Sequence, residues 1–110
     1  MSGQVLTAAL LQGGGSSLHG GRYTIAGMLV VGESANLELA DGHCPVRLAI
    51  HDAELAGRLL DHVPCHMGGA YLYHDPVRLV AILAAGTDGC VAIAQVESGM
   101  LERDGRLFPF

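Results

Sequence analysis

The chain has no lysine and no tryptophan, and only two phenylalanines and three tyrosines among 110 residues. With so few rings, a core must be assembled from interdigitated Leu, Val, Ile and Ala side chains. Charge is also scarce, at 15% of residues, and the balance is −5 with histidines neutral. All six cations are arginines (Arg22, Arg47, Arg58, Arg78, Arg103 and Arg106), spread along the chain rather than clustered. A protein that tracks a nucleic-acid backbone concentrates positive charge on one face, because counterion release supplies much of its affinity. The scatter and the acidic balance argue against a polyanion partner, and suit the surface of a basic protein.

Three cysteines (Cys44, Cys65 and Cys90) are an odd number at irregular spacing, which does not describe a disulfide framework. The apolar segment Val5–Leu11 is short and no positive residue precedes it, so it does not read as a secretory signal. No run of 18 apolar residues is present to span a bilayer. The expected setting is soluble, reducing and cytoplasmic.

What the chain does have is half its residues hydrophobic, enough for one domain with a substantial core. Residues 1–21 are expected as a flexible N-terminal arm, because Gly13–Gly15, Ser16, Ser17, Gly20 and Gly21 interrupt any regular element. An alternative use of Val5–Leu11 is as an added edge strand or a helix on a partner. Residues 22–110 are expected as the folded domain.

Arg22–Val31 is rich in Tyr, Thr, Ile and Val and predicts a strand, with Gly27 marking a bulge or bend. Asn36–Ala40 and Pro45–Ile50 alternate polar and apolar residues around Asp41-Gly42, the signature of a hairpin. Asp52 is a helix N-cap residue, and Leu55, Leu59 and Val63, with Leu60 beside them, give an apolar stripe that Pro64 ends. After Gly68-Gly69 come Ala70–His74, a kink at Asp75-Pro76, and a strand over Val77–Leu83. Cys90–Glu97 is the last expected strand. In the tail, Asp104-Gly105 could close a small hairpin.

The order of three strands, a helix and two strands, with Gly27 inside the first strand, Leu39-Ala40-Asp41 ending the second and a glycine after the helix, resembles the OB-fold. That resemblance implies an all-β fold with one short helix, an OB-fold-like five-stranded barrel. It also implies a binding surface on strands two and three and the loops joining strands one-two and four-five. On this chain that surface comprises Asn36, Glu38 and Arg47, the Glu33–Ser34 loop and the Thr87–Asp88 turn. Nucleic-acid-binding members of the family stack bases on exposed rings. Here strands two and three carry no aromatic residue and one arginine. Tyr71 and Tyr73, at strand spacing with His74 and Arg78 nearby, are the only candidate stacking pair, and packing against the core or the helix end is the commoner use of such residues.

The densest set of metal-ligating types is His62, Cys65 and His66, with His43-Cys44 upstream. Zinc ligands usually come as two spaced pairs, and adjacent side chains rarely aim at one ion, so no metal or other cofactor is expected. Cys65 follows a helix C-terminus, where the dipole disfavours a thiolate. With no preorganised nucleophile or acid–base pair, no enzyme is expected. The sequence therefore points to a non-catalytic binding module for a protein partner, of the immunity-protein or assembly-adaptor kind. Self-association is also plausible, because Cys90–Val96 is apolar on both faces. Single-stranded nucleic-acid binding is the alternative. The residues expected to carry binding are Glu33, Asn36, Glu38, Arg47, Tyr71, Tyr73 and Arg78.

Overall fold

The fold is taken from a computed structural model that describes residues 4–7, 18–39, 46–65, 71–85 and 90–110. The strands are β1 (Gln4–Val5), β2 (Arg22–Val31), β3 (Ala35–Leu39), β4 (Val46–Ala49), β5 (Tyr73–Ala85), β6 (Val91–Arg103) and β7 (Arg106–Pro109). The single described helix, α1 (Leu55–His62), lies between β4 and β5. The expected class, all-β with one short helix, is the observed one. Six strands run in the order β4-β3-β2-β5-β6-β7, each antiparallel to its neighbours, and β1 joins β2 in parallel. Five strands were expected. The surplus comes mainly from Ser98–Phe110, read as a tail, which forms the second half of β6 and all of β7.

The long strand β2 organises the sheet. On one edge it pairs with β5 along its whole length, from Arg22↔Ile82 to Val31↔Tyr73. On the other edge it takes β1 near Tyr23 and Thr24, then β3 from Met28 to Val31. Gly27 stands where the partner changes. A Cβ there would fall well inside the van der Waals shell of the Glu38 carbonyl oxygen, so only glycine lets β3 come this close.

The kink expected at Asp75-Pro76 is absent, since β5 runs unbroken through both residues. A proline opposite Met28 occupies a non-hydrogen-bonded pair, which turns its nitrogen toward the β6 side. The β5–β6 register begins one residue later, at Val77↔Leu101, so the missing donor breaks no bond there.

Two register shifts leave Glu97 and Ala94 as extra residues of β6 opposite β5. Such bulges bend and twist a strand. They also explain why Ile93 and Val96, three residues apart, are both buried while Ala94 and Gln95 are exposed. The outward positions of this segment are thus not the continuous apolar face expected from the sequence.

The outer edge of β6 is covered in three ways. At its start, Ile50 forms a parallel bridge to Ile93, and His51 N–H donates to the Ile93 carbonyl at 2.8 Å. In the middle, the Asp52 carboxylate accepts from Val96 N–H at 2.9 Å. The Arg58 guanidinium donates to the Val96 carbonyl and, at 3.1 Å, to that of Glu97. Beyond Ser98, β7 and Phe110 take over, with Gly99 and Phe110 exchanging backbone bonds of 3.1 and 2.9 Å. The contact between β4 and β6 is one bridge rather than a ladder, so the sheet curls like a barrel without closing. Its extents of 38 × 30 × 29 Å fit a coiled sheet rather than a flat one.

Inside the curl lies one aliphatic cluster, including Ile25, Leu29, Leu37, Leu79, Ile93 and Leu101. The helix closes it with Leu55, Leu59 and Val63, as the stripe predicts, whereas Leu60 faces solvent at 54% exposure. Asp52 accepts the Glu54 N–H at 3.0 Å and so organises the turn before the helix, two residues ahead of the observed cap position. Leu6 and Leu18, from the segment expected as an arm, belong to the same core cluster. Among the described residues, no helix is long and apolar enough to cross a membrane.

Candidate functional site

The outward residues of β3 alternate with the buried Leu37 and Leu39, so the pleat itself presents Asn36 and Glu38 on one surface. Glu38 is directly opposite Arg47 of β4, and the two form an ion pair of 2.8 Å. Beside them the Gly32–Ser34 turn is held by Gly32 N–H donating to the Ser34 carbonyl at 3.0 Å. The Asn36 amide donates to Ser34 Oγ at 3.2 Å. Across from this turn, Leu72 N–H donates to the Val31 carbonyl at 2.8 Å and anchors the chain just before β5. Tyr71 and His74 are thereby brought together, ring edge to face, with centroids 5.6 Å apart.

These elements enclose a groove of about 420 Å³, and Glu33, Asn36, Glu38, Arg47 and Tyr71 all line it, together with Ser34 and His74. Five of the seven residues expected to bind a partner therefore converge on one site. His74, noted in the sequence only as a neighbour, is the sixth side chain of interest. Strand alternation was the signal for it: Tyr73 points inward, so His74 must point out.

Two residues depart from expectation. Tyr73 is fully buried, and its hydroxyl donates to the Val63 carbonyl at 2.7 Å. It fastens the helix end to β5 and offers no surface to a partner. Alternation of faces begins with β5 at Tyr73, so Tyr71, which precedes the strand and is 46% exposed, does not share its face. Arg78 is exposed but lies farther along the outer face of β5, beside Ala26 and Met100, outside the groove.

The groove is polar and mildly acidic. Glu38 neutralises Arg47, leaving Glu33 as an exposed anion with no ion pair among the described residues. Ser34 Oγ accepts from the Asn36 amide. Among the described residues no group of three His, Cys, Asp or Glu side chains is arranged to hold a metal ion. His62 is exposed and Cys65 half-buried. His43, Cys44 and His66, like the Thr87–Asp88 turn, lie outside the described residues.

Rigidity beneath the groove comes from a buried ion pair. Arg103 donates to both oxygens of Asp75, at 3.0 and 2.7 Å, and to the Pro64 carbonyl at 2.6 Å. Asp75 directly follows the groove residue His74, so its fixation holds this end of β5. The bond to Asp75 stabilises the charged guanidinium and raises its pKa further above its ordinary range. Comparison of the chain with known protein families, with characterised proteins and with solved structures finds no significant match.

Proposed function

We propose that this chain is a non-catalytic, OB-fold-like binding module that engages a protein partner through the groove between β3, β4, the Gly32–Ser34 turn and Tyr71. The observation that carries the reading is convergence. Residues from three separated segments, 33–38, 47 and 71–74, line one polar hollow with an exposed ring pair at its wall. Strand adjacency supports the OB-like part. The neighbours β2–β3, β3–β4, β2–β5 and β5–β6, with a parallel contact from the end of β4 to β6, are those of a five-stranded Greek-key barrel. In this scheme β1 and β7 are additions. The groove then occupies the surface that such barrels use for ligands.

A protein segment suits the chemistry of the hollow. Glu33 offers an anion to a basic side chain, Asn36 can bond an extended backbone, and Tyr71 provides an amphipathic ring of the kind enriched in interfaces. A module of this type serves as an immunity-type inhibitor or an assembly adaptor.

The accessible Tyr71–His74 ring pair favours a second reading, single-stranded nucleic-acid binding. Against it, the groove holds two carboxylates, and its one arginine is tied to Glu38. Anisotropy titrations of labelled single strands at low and high salt separate the readings. Micromolar, salt-sensitive binding lost in Tyr71→Ala would replace the first reading with the second. The direct test is capture through a photoreactive residue at position 71, with position 60 on α1 as control. A protein adduct specific to position 71 is the expected result, and labelling that does not distinguish the two positions overturns it.

A further inference from the structure

Beyond the groove, the outer face of the sheet changes character. Over β2, β5, β6 and β7 it becomes apolar, and a second hollow of about 430 Å³ opens there between Ala26, Pro76, Met100 and Leu107. Met100 and Leu107 are exposed by 38% and 63%. The arginine at this hollow differs from the other five, all of which are described. Arg22, Arg47 and Arg103 pair with Glu97, Glu38 and Asp75, Arg58 is bonded to two carbonyls, and Arg106 lies over the Phe108 ring. Arg78 is the arginine left without such an engagement among the described residues. It lines the hollow together with Glu102, which likewise makes no ion pair among those residues.

An apolar patch that carries one free cation and one free anion is complementary to itself. A two-fold axis between Arg78 and Glu102 brings each against its opposite on the second copy. The exposed Met100 and Leu107 of one copy then cover the hollow of the other. This is the isologous arrangement of a symmetric dimer, in which one patch serves both subunits. We infer that the apolar outer face around Met100 is covered by a second copy of this chain, in a two-fold dimer tied by reciprocal Arg78–Glu102 ion pairs. The inference goes beyond the groove reading and stands whether or not the groove takes a partner. Tyr71 and Glu33 have no part in it.

Sedimentation velocity of the full chain across a concentration series, with charge exchange, tests it. The unaltered protein is expected to dimerise reversibly. Arg78→Glu and Glu102→Arg are each expected to raise the dimer dissociation constant about ten-fold or more, and the double exchange to restore it to within about three-fold of the original. Positions 78, 102 and 107 are all exposed, so folding is expected to persist, and circular dichroism checks it. Leu107→Glu supplies a second disruption that does not depend on the ion pair. A monomer at all concentrations overturns the inference, as does a dimer indifferent to Arg78→Glu and Leu107→Glu. Failure of the double exchange to restore affinity overturns the paired geometry.

Discussion

Arg103 and Asp75 are joined by two hydrogen bonds, 3.0 and 2.7 Å, at a place where Asp75 is only 4% exposed. The pair links β6 to the start of β5, and a third bond from Arg103 to the Pro64 carbonyl brings in the end of the helix. Asp75 also accepts from His74 N–H at 3.2 Å, so removing Arg103 leaves a buried carboxylate only partly compensated, which costs more than the pair contributes as a unit. Arg103→Ala is expected to destabilise the fold by about 3 kcal/mol, read from urea denaturation midpoints. Arg103→Lys keeps the charge but loses the two-pronged geometry, and a smaller loss is expected.

Tyr73 works at the same junction. Tyr73→Phe leaves the ring in the core and removes only the bond to the Val63 carbonyl, for an expected loss of about 1–2 kcal/mol. Burial holds the Tyr73 phenol above its ordinary pKa of 10.0. Folding thus favours the neutral phenol. Its stabilisation is complete below the unfolded value near pH 10 and is lost as pH rises through the folded value. Alkaline stability curves of Tyr73→Phe are expected to fall less steeply than those of the unaltered protein over that window.

Gly27 sits against the Glu38 carbonyl, a backbone atom that cannot swing aside as a side chain can. Gly27→Ala must push β3 away from β2, and a loss of about 2 kcal/mol is expected, beyond the small propensity gain of alanine. Because Glu38 belongs to the groove, amide chemical shifts of residues 36–38 are expected to move with it. Unchanged stability and shifts would show that the strands are not in the described contact.

Asp52 bonds both the turn before the helix and the edge of β6. Asp52→Ala leaves Val96 N–H without its acceptor, and a loss of about 1–3 kcal/mol follows from the stranded donor and the disrupted turn. Hydrogen exchange at the Val96 amide is the specific readout. It is expected to speed up in Asp52→Ala even where global stability is compensated by added stabiliser.

Much of this architecture is legible in local pattern. Arg22–Val31 is a strand at the residues its composition suggests, Gly27 marks the change of partner, and the Leu55, Leu59, Val63 stripe faces the core. Asp104 and Gly105 both adopt positive φ, 53° and 77°, as a tight hairpin between β6 and β7 requires. What local pattern cannot supply is pairing across distance. Asp75 and Arg103 are 28 residues apart, so Asp75-Pro76 reads as a kink until its partners are known. Ser98-Gly99 reads as the end of the strand and the start of a tail because bulges disguise the continuation of β6. Gly99 in fact makes room for the Phe110 ring beside Leu79. The groove was partly visible, since Glu33, Asn36, Glu38 and Arg47 follow from alternation around two turns. Tyr73 packs against the core and the helix end, the commoner use of such a strand residue, and that Tyr71 does not share its face depends on the residue at which β5 begins.

The central claim is that the groove beside Tyr71 recognises a protein. Its most direct measurement is the affinity of the protein captured through position 71, purified and titrated by calorimetry against the unaltered chain and against Tyr71→Ala. Loss of an interface aromatic at a recognition site is expected to weaken binding at least about ten-fold. Equal affinities for the two, with the fold intact, would contradict the claim.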